Sequence, residues 1–422
     1  MNVILPLECI SQNYGWGNYG DNSTVARLLK GGCDSFKIEP KQTYAELWMG
    51  SHPSGPSKVH LSNGSSPLLS EYIKKENPNN ILGKEIVERF GGDFPFLFKV
   101  LSIRTALSIQ SHPDSELAKQ LHAKFPEIYK DPYHKPEIAI ALTPFHALCG
   151  FRNLNDIIQF IQDVPEFKST LESGLNLTEV NKDNCKIYLK TIVTSLLNVK
   201  QDILSENLKQ LNNRLSSKSD SEKTETDRLV LQLYSQYPGD VGVFFAYILN
   251  YMVMQPGQAL FLAAGEPHAY ISGDCVECMA PSDNVVRAGL TPKLKDVNTL
   301  GEMLTYTTGK PDFVQPILEQ HHNGKITSNT YRPPVDEFEV EQIDIQEKGL
   351  VISIKESNGP SILLVTHGNL TIHNQLKTYS SLPTGSIFFI PSKTQYQLEA
   401  NEPNTTAFIA KVNQKLFTNP KL

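Results

Sequence analysis

The stretch PFLFKVLSIRTALSIQSH, residues 95–112, carries the reading of the fold. Its first half, PFLFKVLSI, is a short apolar run closed by Arg104 and preceded by the turn signal Gly91-Gly92, the pattern of a buried strand. Lys99, inside that run, has to reach a partner or a cavity, because an ammonium group is costly to bury alone. The second half alternates, which puts Ser108, Gln110 and His112 on one strand face and Leu107 and Ile109 on the other. His112 then opens a His-Pro-Asp turn, so it falls at a strand end, a position suited to a site at the mouth of a barrel.

The same texture extends outward. From Asn2 to about Gly150, turn signals such as Gly31-Gly32 and Pro53-Ser-Gly-Pro56 separate short apolar runs and predict mostly β structure. After Arg152 the period changes: Leu154, Ile157, Ile158 and Ile161, then Ile192, Leu196 and Val199, then Leu204, Leu208, Leu211 and Leu215 recur at helical spacing. The polar run SSKSDSEKTET, Ser216 to Thr226, reads as a mobile loop between helices. Short runs return from Val253, and a third block from about Thr330 holds strand-like segments beginning at Gly359, Gly385 and Thr405. The prediction is a mainly β chain with an α-helical insertion, built as two jelly-roll-like β-barrels. Residues 1–150 and 240–328 form one discontinuous unit, 151–239 the helical insertion and 329–422 a C-terminal jelly roll. Val241 to Met254, the most apolar stretch, is interrupted by Asn250 and too short for a bilayer, so a buried helix or a helix plus a strand is expected.

A register comparison favours the repeated barrel. The second cupin motif runs G-x5-P-x-G-x2-H-x3-N, and Gly257, Gly265 and His268 match it in part, with Ala263 in place of the proline and Ser272 in place of the asparagine. The same register from Gly385 meets Pro391, then Lys393 where the second glycine belongs and Tyr396 in place of the histidine. The C-terminal barrel is therefore expected to lack metal ligands.

Composition narrows the function. The 422 residues carry 39 Lys and Arg against 45 Asp and Glu, a net charge of -6, so no global positive field exists to hold nucleic acid or an anionic membrane. The opening residues MNVILPLECISQNYGWG lack the cationic segment, apolar stretch and cleavage site of a secretory signal, and a cytoplasmic protein is expected. Six scattered cysteines are expected as reduced thiols. Cys275-Val-Glu-Cys278 is set aside as a metal pair, since residues three apart on a strand face opposite sides. Phosphate-loop, dinucleotide, serine-hydrolase and zincin motifs do not occur.

His112 and His268, with Glu137 at another strand-like start and Gln110 on the face of His112, form a mixed nitrogen and oxygen set suited to a divalent, zinc-like ion. The plainer alternative is that Glu137 is an exposed charge and Gln110 an ordinary hydrogen-bonding residue. Arg287 and Lys293, in NVVRAGLTPK, are two cations held by a Gly and a Pro in a turn, an arrangement that suits phosphate or carboxylate unless both are simply solvated. Lys99 and Lys135 are further candidate cations, and Glu277 is the more interesting member of its Cys-Val-Glu-Cys segment.

Taken together, Tyr14-GWG, Tyr44-AELWMGSHPSGPS, Pro95-FLFKVLSI, Leu107-SIQSHPD, His134-KPEIAIALTPFHALCGFR and Gly265-EPHAYISGDCVECMAPSDNVVRAGLTPK resemble, in order, the eukaryotic type I mannose-6-phosphate isomerase (phosphomannose isomerase) family of the cupin superfamily. The resemblance implies interconversion of mannose 6-phosphate and fructose 6-phosphate through an enediol, feeding GDP-mannose and glycan synthesis, with one zinc ion per chain. It implies Gln110, His112, Glu137 and His268 as the zinc ligands and Arg287 as catalytic; Ser108, Lys99, Lys135, Glu277 and Lys293 match positions around the substrate pocket. Glu277, Lys135 and a zinc-bound water are the candidate bases, and His52 is a candidate for ring opening. Lys293, Lys99 and Ser108 are the expected phosphate contacts. Small-molecule sugar phosphates are the expected partners, and a monomer the expected state. A sugar-phosphate-binding cupin without catalysis and an iron-dependent cupin oxygenase are the competing readings.

Overall fold

The computed structural model describes residues 3–172 and 184–418. The apolar run after Pro95 forms the strand Leu97–Ile103, buried at every position. It is flanked by Glu46–Met49 on one side and His268–Met279 on the other, both antiparallel. Enclosure by two neighbours and apolar layers explains why the run lacks alternation.

The long strand His268–Met279 organises this sheet. Its first residues pair with Phe145–Phe151 and with Ile109–Ser111, whereas from Gly273 onward it pairs with Leu97–Ile103 and Glu137–Ala141. Met279 lies opposite Glu137 in register, yet His268, at the other end, also reaches Glu137, with Nε2 3.5 Å from the carboxylate. A straight strand of this length would span roughly 36 Å, at about 3.3 Å per residue. The strand is therefore sharply bent, and the change of partners puts the corner at Gly273, where φ is 107°. A Cβ there would meet the Pro144 carbonyl oxygen at 2.5 Å and the Phe145 Cα at 2.9 Å.

The first block is less purely β than its punctuation suggests. Helices Thr24–Gly32, Leu69–Lys75, Lys84–Phe90 and Ser115–Lys124 lie between its strands. Two start on clear caps: the Ser23 hydroxyl accepts from Ala26 N, and the Asp114 carboxylate accepts from Glu116 N and Leu117 N. The turn read at His-Pro-Asp is thus a strand-to-helix junction. The alternating segment is also shorter than expected, since the strand covers Ile109–Ser111 and leaves Ser108 and His112 at its two ends.

Helices Leu154–Asp163, Cys185–Leu197, Gln201–Ser216 and Glu225–Gln236 form the insertion, and the predicted stripe of Leu204, Leu208, Leu211 and Leu215 is buried. Residues 173–183 of the predicted 151–239 segment lie outside the described residues. The polar run from Ser216 links two helices, the second opened by a capping box between Thr224 and Asp227. Val241–Tyr247 is a 3-10 helix and Leu249–Met254 a strand, the helix-plus-strand alternative. Asn250 is tolerated there because its amide lies within 3.1 Å of the carbonyls of Cys149, Gly150, Phe151 and Gly309.

The C-terminal block forms antiparallel sheets, one containing Ile326–Tyr331, Glu339–Ile345, Thr405–Lys411, Ser361–His367 and Ile387–Ile390, the other Val351–Ile354, Tyr396–Ala400, Asn369–Asn374 and Thr378–Pro383. The first of these also takes in Leu5–Glu8, which pairs with Ile387–Ile390. No helix among the described residues is long and apolar enough to cross a membrane.

Gly273→Ala should destabilise the fold by about 3 kcal/mol, from a positive φ plus a backbone clash, and should separate His268 from Glu137. Thermal unfolding combined with metal titration checks both consequences.

Candidate active site

Three buried side chains meet where the strands end. Glu137 is the first residue of its strand, His268 the first of the bent strand, and His112 follows the last residue of Ile109–Ser111. Nε2 of His112 stands 3.4 Å from one Glu137 oxygen and Nε2 of His268 3.5 Å from the other. Each ring is oriented through Nδ1, which donates to the Asn284 carbonyl (2.7 Å) in His112 and to the Glu266 carbonyl (3.0 Å) in His268. With Nδ1 donating, each Nε2 offers its lone pair, and among the described residues neither has a hydrogen-bond partner although both are buried. Among the described residues no other group of three His, Cys, Asp or Glu side chains converges in this way. Gln110 pairs with His268 across the sheet, and its side chain lines the adjoining cavity.

Burial pushes His112 down to about 4, so its imidazole is neutral at neutral pH. Burial alone would raise Glu137, but the Lys135 ammonium opposes that and holds its carboxyl below the usual range. Lys135 Nζ is 3.5 Å from Glu137 and also faces the cavity. Two imidazoles oriented in this way with a fixed carboxylate are a donor set for a divalent cation of borderline softness.

The cavity beside this cluster has a volume of about 410 Å³, within the range of small-molecule sites. On one wall Trp48, Lys99 and Glu277 occupy a single rung across three strands, so their side chains share a face. Lys99 Nζ lies 3.4 Å from both Glu46 and Glu277. Trp48 Nε1 donates to Glu46 (2.6 Å) and the Tyr270 hydroxyl to Glu277 (2.9 Å). Burial disfavours the Lys99 charge, but Glu46 and Glu277 reverse that and raise it above its ordinary value. Glu277 is itself raised, chiefly by burial and by the like charges of Glu137 and Glu46, against the pull of Lys99. Cys275 and Cys278 are buried in separate hydrophobic clusters, as divergent faces require.

Arg287 continues the rung of Gln110 and His268 and lines the same cavity, as do Ser108 and Lys293. Among the described residues neither Arg287 nor Lys293 has a carboxylate within 4.0 Å. Burial pulls Arg287 below its ordinary value with no carboxylate to oppose it, so an anion entering here would meet an uncompensated guanidinium. His52 also lines the cavity; its Nδ1 accepts from Ser54 N (3.2 Å) and its Nε2 lies 3.5 Å from Asp283.

The structure therefore brings together Gln110, His112, Glu137, His268, Lys135, Lys99, Glu277, Arg287, Ser108, Lys293 and His52. Sequence reasoning passed over Glu46, Trp48, Tyr270 and Asp283. Glu46 carried a usable signal, an acid inside the apolar run AELWM, by the argument applied to Lys99.

Comparisons with known proteins agree with this geometry. Models of the type I phosphomannose isomerase catalytic domain, helical insertion domain and C-terminal region match residues 4–154, 162–249 and 328–374. The chain is 56% identical over 439 residues to a probable mannose-6-phosphate isomerase of Dictyostelium discoideum, covering 99% of this chain and 96% of that protein. It is 40% identical over 412 residues to the human mannose-6-phosphate isomerase, covering 95% and 96%. A zinc-bound mannose 6-phosphate isomerase crystal structure superimposes with a TM-score of 0.81 at 30% identity, over 97% of this chain and 99% of that one. The apo form from Salmonella typhimurium gives a TM-score of 0.81 over 98% and 100%. With its strands, its cavity and its buried His-Glu-His cluster arranged in this way, the chain belongs to the type I phosphomannose isomerase family.

Proposed function

We propose that this protein is a zinc-dependent aldose-ketose isomerase that interconverts mannose 6-phosphate and fructose 6-phosphate. The observation that carries the reading is the pair of buried Nε2 atoms converging on Glu137, without hydrogen-bond partners among the described residues, beside a cavity lined by Arg287 and Lys293, which no carboxylate among those residues approaches within 4.0 Å. The relatives named as mannose-6-phosphate isomerases and the zinc-bound neighbour support it.

Gln110, His112, Glu137 and His268 would hold the zinc, which when bound supplies a Lewis acid for the sugar's C1 and C2 oxygens. Arg287 and Lys293, with Ser108, receive the anionic parts of the substrate. Phosphate at C6 is remote from the bond changes, so its binding orients the sugar without joining the chemistry. Lys99 is assigned to the two carboxylates rather than to the phosphate, because its ammonium already lies between Glu46 and Glu277. His52, polarised by Asp283, is placed to move the proton on ring opening. Glu277 then takes the C2 proton; the C–H electron pair forms the C1–C2 double bond and the C1 carbonyl oxygen becomes an oxyanion. Arg287 stabilises that charge, an effect commonly worth about 3 kcal/mol. The C2 hydroxyl proton then passes to the C1 oxygen; Glu277 returns its proton to C1, the C1–C2 π pair forms the new C–H bond, and the C2 oxygen becomes the carbonyl of the ketose. Glu277 is preferred to Lys135 as base because its raised carboxyl sits closer to neutrality, while Lys135 compensates the charge of Glu137.

The proposal extends to a cytoplasmic monomer acting on small sugar phosphates and supplying mannose 6-phosphate for GDP-mannose and glycan synthesis. The net charge of -6 supports the exclusion of nucleic acid and anionic membranes. The division into a discontinuous catalytic unit (1–150 and 240–328), a helical insertion (151–239) and a C-terminal jelly roll (329–422) belongs to the same reading.

Proton NMR of the purified protein with mannose 6-phosphate in D2O should show fructose 6-phosphate forming, stopped by chelation and restored by zinc. Sugar that binds but is left unchanged by metal-loaded protein would favour the non-catalytic cupin, and oxygen consumption the oxygenase. Arg287→Ala should lower kcat by about a hundredfold to a thousandfold with a far smaller change in KM, as expected for an oxyanion contact. If Glu277 is the base, kcat should rise as pH climbs through its elevated pKa, since the carboxyl must be deprotonated to act. Glu277→Gln should abolish that limb along with most turnover, measured as a pH profile of kcat.

A further inference from the structure

Residues 236–240, where the helical insertion rejoins the sheet, touch the segment just before the strand Ile109–Ser111 and the turn just after the strand Val286–Gly289. On one side, Gln236 Oε1 accepts from Ala106 N (3.0 Å) and the Tyr237 hydroxyl donates to the Ala106 carbonyl, so both polar backbone groups of Ala106 are taken up just ahead of Ser108, Gln110 and His112. On the other side, Asp240 grips the turn that follows Arg287. Its Oδ1 accepts from Leu290 N (2.6 Å) and Gly242 N (2.7 Å), its Oδ2 from Thr291 N (3.3 Å), and Lys295 Nζ stands at 4.0 Å.

That turn has a reason to need holding. Leu290 has φ of 53°, a left-handed conformation that a branched residue adopts only when its surroundings impose it. Backbone packing supplies the second constraint: a Cβ on Gly242 would meet Leu290 N at 2.5 Å, and one on Gly289 would meet the Gly242 Cα at 2.6 Å. Two glycines thus let the chain beyond Asp240 lie directly on the chain beyond Arg287. The carboxylate then satisfies two amides that the left-handed turn directs away from the sheet.

We infer that Asp240 is a positioning residue, and that residues 236–240 form a brace by which the helical insertion sets the distance between the strand of Ser108, Gln110 and His112 and the turn of Arg287 and Lys293. Asp240 touches no substrate in this account; it acts through the backbone of Leu290 and Thr291. The functional half of the inference rests on the assignment of Arg287 and Lys293 to the anionic substrate, while the brace itself does not.

The experiment compares the full-length, zinc-loaded protein with Asp240→Ala and Asp240→Asn. Amide hydrogen exchange at Leu290 and Thr291 reads the brace; inorganic phosphate as a competitive inhibitor, with zinc stoichiometry and kcat, reads its consequence. In Asp240→Ala, exchange at these two amides should rise at least tenfold, the inhibition constant for phosphate should rise about tenfold, and zinc should stay at one per chain. Asp240→Asn, which keeps the shape and one acceptor oxygen, should recover most of the phosphate affinity and keeps the inference testable if the alanine variant does not fold. Unchanged exchange at Leu290 and Thr291 in a folded alanine variant overturns the brace, as does an asparagine variant no better than alanine. Loosened amides with unaltered phosphate affinity overturn the link to the site. Failure of phosphate to inhibit the unsubstituted protein would instead remove the anion assignment, with the exchange data still deciding the brace.

Discussion

A carboxylate buried at residue 137 sets the terms for the structure around it. An ionised acid removed from water is costly unless cations offset it, and Glu137 has one ammonium group 3.5 Å away and, at each oxygen, an imidazole nitrogen whose lone pair can share a cation with it. Those three groups arrive from separate segments: His112 from the end of a short strand, His268 from the start of the bent one, and Lys135 from the loop before Glu137 itself. The strand bend at Gly273 brings His268 to this carboxylate, and the two carbonyls that orient the imidazoles turn both Nε2 lone pairs toward it, a set of donors that a divalent cation would complete.

The site has a regular plan. One rung carries Trp48, Lys99 and Glu277, and another carries Arg287, Gln110 and His268. The two rungs belong to opposite arms of the bent strand, so a single segment contributes to both walls of the cavity. The first wall holds Glu277, which burial and the like charges of Glu137 and Glu46 raise, and the second holds the buried imidazole of His268 beside Gln110 and Arg287.

Much of this was legible in the sequence where local rules apply. The run from Pro95 was short, apolar and bounded by turns, and it formed a strand buried at all positions. The stripe of Leu204, Leu208, Leu211 and Leu215 formed a helix, because a period of 3.6 has one solution in a packed insertion. His112, Glu137 and His268 stood at strand ends, and the resemblance of their flanking motifs tied them together. What was not legible depends on register. Glu46 and Glu277 share Lys99 only because strands distant in sequence align Trp48, Lys99 and Glu277, and no local pattern encodes that alignment. The helices of the first block were missed because they are short and rely on caps such as Ser23 and Asp114, which read equally well as turn residues.

The pairing of Leu5–Glu8 with Ile387–Ile390 bears on how the chain folds as it is made. Ile4 packs in the same hydrophobic cluster as Leu363 and Phe388, and its carbonyl accepts from the Tyr379 hydroxyl, so the start of the chain is built into the last block. During synthesis that first strand emerges long before its partner exists. It must wait with an open edge while the intervening residues are made, a contact of very high order that places final closure late and leaves the nascent chain vulnerable to pairing with its neighbours.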